Sequence, residues 1–455
     1  MRLSQILKAW VIGLTLVFVQ ACGSTPAVKV PNIFKKSDQE SSQGTSQKPG
    51  QKSSHVKTKI PPPFPVTTQS LRGERIDALL MELVKEGSVP GLSVLIYEGD
   101  TETYFGATGY SNIDAKTPLR RSDVGRYYSM TKPITGVAMM MLYEQGKFEL
   151  DDPVAKYLPE YSEMMVYDGE NEDGSLNFAP AENQITIRDL MRHTSGMTYG
   201  FIDTPIDHMY NKNGILTYDQ TVAQFSENLA ELPLLYQPGA QYNYGVSTDI
   251  QGRLIEVLSG QSLGTFFEVN IFTPLGMNHT GFKVNATDRA KFGAVYARGK
   301  DGLFALHDGD PRIPLGLIVD EPFLGDLAYE SGGGGLVSSI DDYAKFALML
   351  QRNDGTLIKP ETLDLMTTDQ LGSIPNGDLG EGSSFGLNFA LKMTPQNSGA
   401  YSVPKGTFYW GGMAGTAFFI DDKNDLTFLM HMQVMTPNFL DLRKRMAAAV
   451  YGQTQ

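Results

Sequence analysis

Hairpin-forming stretches stand near both ends of this chain, and they constrain its architecture more than any other feature. Gly91-Leu-Ser-Val-Leu-Ile-Tyr97 and Glu102-Thr-Tyr-Phe-Gly-Ala-Thr108 are rich in apolar, β-branched and aromatic residues and flank the turn sequence Glu98-Gly99-Asp100. Near the C-terminus Thr407–Trp410, Thr416–Ile420 and Leu426–Met432 repeat that pattern, with Asp421-Asp422-Lys423-Asn424-Asp425 as a turn. A last helix is predicted over Leu440–Tyr451. Between these ends the sequence is helical and loop-rich, so the two ends must share one sheet while the middle forms a second lobe. The span 67–455 therefore reads as one mixed domain without solenoid repeats, and a cleft between its lobes is the expected place for a site.

The 455 residues contain one cysteine, Cys22, which excludes an internal disulfide and a Cys-based structural zinc. It follows a basic start (Arg2, Lys8) and the apolar run Ala9–Ala21. That run is shorter than the roughly 20 residues of a spanning helix, so residues 1–21 read as a signal peptide. Val19-Gln20-Ala21-Cys22 resembles a bacterial lipobox, which implies that Cys22 is lipidated and becomes the new N-terminus. Gly23 is not acidic, so the expected location is the cell envelope, lipid-anchored in the outer membrane and facing the periplasm. Residues 22–66, rich in Ser, Gln, Lys and Pro, form a disordered tether with a reach on the order of 40 Å. The stretch 23–66 carries a net charge of +5 and 67–455 a net −20, within a total of −13. Such an acidic body lacks the basic face that nucleic acid requires, and its partners are expected to be a small-molecule substrate and, through the lipid, a membrane.

Several familiar chemistries lose their support at once. No Gly-x-Ser-x-Gly elbow, His-Glu-x-x-His or Walker A sequence occurs. Asp168-Gly-Glu-Asn-Glu-Asp-Gly174 lacks the ligand alternation of a calcium loop and is predicted to be an exposed loop. Gly332–Gly335 lacks the preceding strand and following Lys of a phosphate cradle, so close backbone packing explains it better. What is present is Tyr128-Ser-Met-Thr-Lys-Pro133, followed by the apolar Ile134–Tyr143 and stopped by Gly146. This predicts a helix with Ser129 as its N-cap and Gly146 as its C-cap. Positions i and i+3 share a helical face, so the Lys132 amine can reach the Ser129 hydroxyl and activate it without histidine. Downstream, Gln237–Asp249 turns at Pro238-Gly239 and presents Tyr244 just before a helix marked by Ile250, Leu254 and Leu258. Phe408-Tyr-Trp-Gly-Gly-Met-Ala-Gly-Thr416 ends a strand in glycines, where a backbone can approach a substrate closely.

With these residues in view, the chain resembles class C β-lactamases, their penicillin-binding relatives and, most closely, the family VIII carboxylesterases. The resemblance spans residues 70–450 and includes Gly146-Lys-Phe-Glu-Leu-Asp-Asp-Pro153, Ile185-Thr-Ile-Arg-Asp-Leu-Met-Arg-His-Thr-Ser-Gly196, Pro274-Leu-Gly-Met277 and Ser331-Gly-Gly-Gly-Gly-Leu336. It implies an α+β, β-lactamase/transpeptidase-like fold: an antiparallel sheet flanked by helices, with a second all-helical lobe and no metal or cofactor. It also implies Ser129 as the acylated nucleophile, Lys132 as its partner, Tyr244 as general base, and the backbone N–H groups of Ser129 and Met413 as the oxyanion hole. Lys132 itself remains an alternative base. Two departures favour the esterase branch. Val246 stands where a lactamase has Asn, and Trp410-Gly411-Gly412 replaces Lys-Thr-Gly, so the implied substrate-binding residues Val246, Trp410, Gly411 and Gly412 suit an uncharged acyl group on a small ester or amide. A D-amino-acid peptidase, a weak β-lactamase and a non-catalytic binding homologue are the alternatives. His193 invites a Ser–His reading, but the resemblance makes its segment a structural turn after a helix.

Overall fold

The computed structural model describes residues 71–452 apart from 311–312, 314–317, 326–327, 396–401 and 437–438. Cys22, the signal peptide and the tether therefore lie outside the described residues.

Helix α1 (Leu71–Lys85) places Ile76, Leu79, Leu80 and Leu83 on one buried stripe, the i, i+3, i+4, i+7 spacing of an amphipathic helix. Strands β1 (Gly91–Glu98) and β2 (Thr101–Asn112) form the expected first hairpin and run longer than the sequence pattern suggested. After β3 (Thr117–Pro118) the chain makes helix α2 (Thr131–Glu144), then the second lobe with helix α3 (Ser247–Ser259), then helix α4 (Ile340–Arg352). It returns to the sheet through β4 (Ser383–Phe385), β5 (Ala390–Lys392), β6 (Phe408–Gly411), β7 (Ala417–Asp421) and β8 (Leu426–Met432), and closes with α5 (Phe439–Tyr451).

The eight strands lie in the order β4-β5-β6-β7-β8-β1-β2-β3, with every neighbouring pair antiparallel. The N-terminal hairpin thus docks directly on the last strand, with Leu92 opposite Met432 and Ile96 opposite Phe428. As a central strand β1 is buried on both faces. Leu92, Val94 and Ile96 join Ile76, Leu80, Leu442, Met446 and Val450 beneath α1 and α5. Leu95 points the other way, into the main core with Ile134 and Val137 of α2 and Phe346 and Leu350 of α4. The methionines of α2 act as core filler there, Met139 and Met140 being fully buried.

Among the described residues the middle of the chain is helical but also contains strand pairs, one of them in the acidic stretch. Met165–Glu170 and Leu176–Pro180 pair as an antiparallel hairpin, so the acidic stretch expected to be a plain loop is half strand and half turn. Gly169 and Gly174 adopt positive φ, and Asn171 N–H donates to Ser175 O at 2.8 Å, closing the turn. A short strand, Val124–Arg126, pairs antiparallel with Val337–Ser339, and this carries the Gly332–Gly335 run alongside the segment leading into Ser129.

Candidate active site

Ser129 lies in a single 3₁₀ turn, Tyr128–Met130, ahead of α2. The N-cap position belongs to Met130, which makes no side-chain cap, and not to Ser129 as the sequence suggested. The tighter turn rotates the serine out of the capping geometry and leaves its hydroxyl for other partners. Gly146 likewise falls one position beyond the C-cap residue Gln145, in the left-handed conformation usual there. Tyr128, immediately before the serine, holds φ at +42°, a strained value for a residue with a Cβ. The surroundings fix it: its hydroxyl donates to Ile318 O at 3.2 Å.

Around the Ser129 hydroxyl the structure gathers the groups that the sequence singled out. Tyr244, on the turn entering α3, brings its hydroxyl within 2.7 Å of Ser129 Oγ. Lys132 Nζ lies 3.5 Å from the same oxygen, 2.8 Å from the Tyr199 hydroxyl and 2.7 Å from Gly333 O. It also sits 4.8 Å from the centre of the Tyr244 ring. Burial pushes the Lys132 amine down to about 7, while the Asp249 carboxylate pulls in the opposite direction. A neutral amine has two N–H donors and one lone pair. Gly333 O and the Tyr199 hydroxyl occupy the two donors, which leaves the lone pair for the serine proton.

The strand that carries Trp410 and Gly411 supplies a wall. Trp410 on β6 is almost buried, its ring centre 5.5 Å from that of Tyr244 and 5.3 Å from that of Phe385. Gly411 ends that strand and Gly412 begins the turn to β7, with Gly412 N–H donating to Thr416 O at 2.8 Å. A Cβ on Gly412 would collide with the carbonyl oxygen of Tyr127, so only glycine lets this turn close on the chain that carries Ser129. Met413 follows in the same turn, half-buried against the cluster that contains Tyr128.

Val246 is corrected. It is fully buried in the main core and occupies the N-cap position of α3, so it offers no surface to a substrate. An apolar, β-branched side chain at the foot of a helix is drawn inward, whatever role its position suggests. His193 is also fully buried, with φ +57°, and neither ring nitrogen has a hydrogen-bond partner. Its ring centre lies 5.1 Å from that of Tyr244 and 5.4 Å from that of Phe385. Burial, helped by the Lys132 charge, drives its pKa well below the usual histidine value.

Three residues to which the sequence reading gave no part in the site complete the network. Tyr199, three residues beyond Gly196, accepts from Lys132. Gly333 does so through its carbonyl. Asp249, in the first turn of α3, accepts from Tyr329, Ser331 and the Gly333 N–H. A carboxylate five residues after the candidate tyrosine, and facing an apolar helix stripe, was the available signal for the last.

Fold and side chains together define a serine hydrolase of the β-lactamase and transpeptidase type. The chain belongs to the beta-lactamase family, whose model matches residues 76–453. An uncharacterized protein of Mycobacterium tuberculosis is 32% identical over 390 residues, spanning 82% of this chain and 92% of that protein. Esterase EstB of Burkholderia gladioli is 29% identical over 380 residues, spanning 81% of this chain and 92% of the esterase. Among solved structures, EstCE1, described as a hydrolase with promiscuous acyltransferase activity, superposes with a TM-score of 0.70 at 26% identity, covering 84% of this chain and 99% of its own.

Proposed function

We propose that the protein is a carboxylesterase that forms an acyl-enzyme on Ser129 from small esters with uncharged acyl groups. One observation carries this reading: Ser129 Oγ lies 2.7 Å from the Tyr244 hydroxyl with the buried Lys132 amine behind both. In the acylation step Ser129 Oγ bonds to the substrate carbonyl carbon while its proton passes to Tyr244 or Lys132. The carbonyl oxygen takes up negative charge against the backbone N–H groups of Ser129 and Met413. Collapse breaks the bond to the leaving alkoxide, which takes the stored proton, and water then repeats the sequence on the acyl-enzyme. The aromatic wall of Trp410 and the absence of a cationic side chain in Trp410-Gly411-Gly412 support a neutral acyl group over the carboxylate of a β-lactam or a peptide terminus.

The purified chain, given short-chain nitrophenyl esters, a chromogenic cephalosporin and D-Ala-D-Ala peptides, is expected to turn over the esters with an initial burst of one equivalent. Turnover of the peptides or the cephalosporin alone would assign the alternative branches, and inertness toward all three would assign a binding homologue.

Anchoring is part of the same proposal. A multiply acylated Cys22 would hold the protein firmly to the envelope, where a single chain anchors only marginally. Cys22→Ser is expected to release the protein from the membrane fraction. Unchanged processing and membrane recovery would overturn the anchor.

A further inference from the structure

The sequence assigns the glycine run Gly332–Gly335 to close packing, and the structure shows what it packs against. Thr135 Oγ1 donates to Gly332 O at 2.7 Å from the α2 side. From the α3 side, a Cβ on Gly332 would stand 2.8 Å from Thr248 O. A Cβ on Gly333 would collide with Asp249 Oδ2 and crowd the Tyr199 hydroxyl at 2.8 Å. The run therefore passes, with no room for side chains, against the starts of both the Lys132 helix and the Asp249 helix, which also pack directly on each other.

Asp249 is 1% exposed, and its two oxygens differ. Oδ1 takes three donors: Ser331 Oγ at 2.6 Å, the Tyr329 hydroxyl at 2.8 Å and Gly333 N–H at 3.1 Å. Oδ2 is buried with no hydrogen-bond partner. A carboxylate oxygen left bare in the interior costs free energy unless a nearby opposite charge offsets it. The cation within its influence is the Lys132 amine, held on the far side of Gly333 by that residue's carbonyl at 2.7 Å.

We propose that Asp249 is a positioning residue for the Ser129 reaction: it pins the glycine run whose carbonyl holds Lys132, and it places a negative charge behind that amine. The inference rests on the proposed role of Lys132. Tyr244 stands three residues before α3 and Asp249 lies in its first turn, so one helix start supplies the hydroxyl in front of the serine and the carboxylate behind the lysine. The other groups around the amine are Ser129, Tyr199 and Tyr244, with His193 farther out, while Tyr218 and Tyr329 lie around Asp249. Burial raises the phenols of Tyr199, Tyr218 and Tyr329 and lowers the imidazole of His193, so these four are uncharged near neutrality. Asp249 remains as the electrostatic partner of Lys132.

The sign of the effect is fixed. A carboxylate favours the ammonium form, so removing its charge lets Lys132 lose its proton at lower pH. The test is the pH dependence of Ser129 acylation, followed as the single-turnover burst from a nitrophenyl ester. In the wild type the rate is expected to rise with pH through about 7. Asp249→Asn, which retains an acceptor for the three donors, should move this limb down by roughly one pH unit. Asp249→Glu retains the charge but displaces the run, and should lower the plateau rate at least several-fold while leaving the limb within a few tenths of a unit. An Asp249→Asn limb at the wild-type position, in a protein that melts like the wild type, would overturn the proposal. So would an Asp249→Glu limb that moves as far as that of Asp249→Asn. A wild-type rate flat across pH 5 to 9 would remove the Lys132 reading and this inference with it, a failure visible before any substitution is made.

Discussion

Replacing Ser129 with Ala is expected to lower ester turnover by on the order of 10⁶ and to abolish labelling by a fluorophosphonate probe. The size follows from the chemistry, because without the hydroxyl there is no acyl-enzyme, and general acid–base groups alone recover only a small part of the rate. The structure also makes this substitution cheap for the fold. Ser129 caps no helix, since α2 begins at Thr131 after an uncapped Met130, so no capping energy is lost. The side chain is only partly buried, and water can replace it as partner to Tyr244. Melting of Ser129→Ala should match the wild type to within about 0.5 kcal/mol. Mass spectrometry of the labelled wild type should place the adduct on Ser129. An adduct on Ser195 or Ser331 would contradict the assignment, and the structure argues against both: each is buried, with its hydroxyl bonded to Ser247 and Asp249 respectively.

The legibility of the sequence varies with the range over which each feature is determined. The two end hairpins and the last helix were readable because alternation, turn residues and helical spacing are local. Their union into one sheet also followed, since hairpins at opposite ends of a chain with a helical middle have few other ways to bury their faces. Ser129, Lys132 and Tyr244 could be picked out because each stands in a short motif at a helix start. Asp249, Tyr199 and the carbonyl of Gly333 could not, because their meaning depends on contacts between segments far apart in sequence: Tyr199 with Lys132, Asp249 with Gly333, and Val124–Arg126 with Val337–Ser339. Val246 shows the opposite failure. Its position in the tyrosine motif suggested a substrate contact, but a motif position does not say which way a side chain points. Burial of an apolar side chain decided that instead. The hairpin inside the helical lobe escaped because its acidic, glycine-bearing turn outweighed the short strands on either side.

Tyr244→Phe and Lys132→Ala are each expected to reduce the acylation rate by about 10³ or more, near the upper range for loss of a general acid–base group. The double variant should lose far less than the product, because Tyr244 and Lys132 both act on the one proton of Ser129 and groups acting as a unit are non-additive. The pH profile adds a second discriminant. A base whose proton leaves at about 7 gives a rate that climbs through neutrality and then levels off. A His193 base would already be neutral below that, since burial drives its pKa well under the usual value, and its limb would lie on the acid side of the ordinary histidine range. His193 also lacks the geometry, with both nitrogens unpartnered and its ring packed on Tyr244, Tyr242 and Phe385. The cleanest substitution is His193→Asn, because asparagine tolerates the left-handed backbone that His193 adopts. Removing most of a buried ring should destabilise the fold by about 2–4 kcal/mol. Acylation by the folded fraction should nevertheless stay within about tenfold of the wild type, the remaining loss reflecting a Tyr244 ring that has lost one neighbour. A folded His193→Asn that no longer acylates, beside a Tyr244→Phe that does, would transfer the proton chemistry to histidine and overturn the Ser–Lys–Tyr assignment.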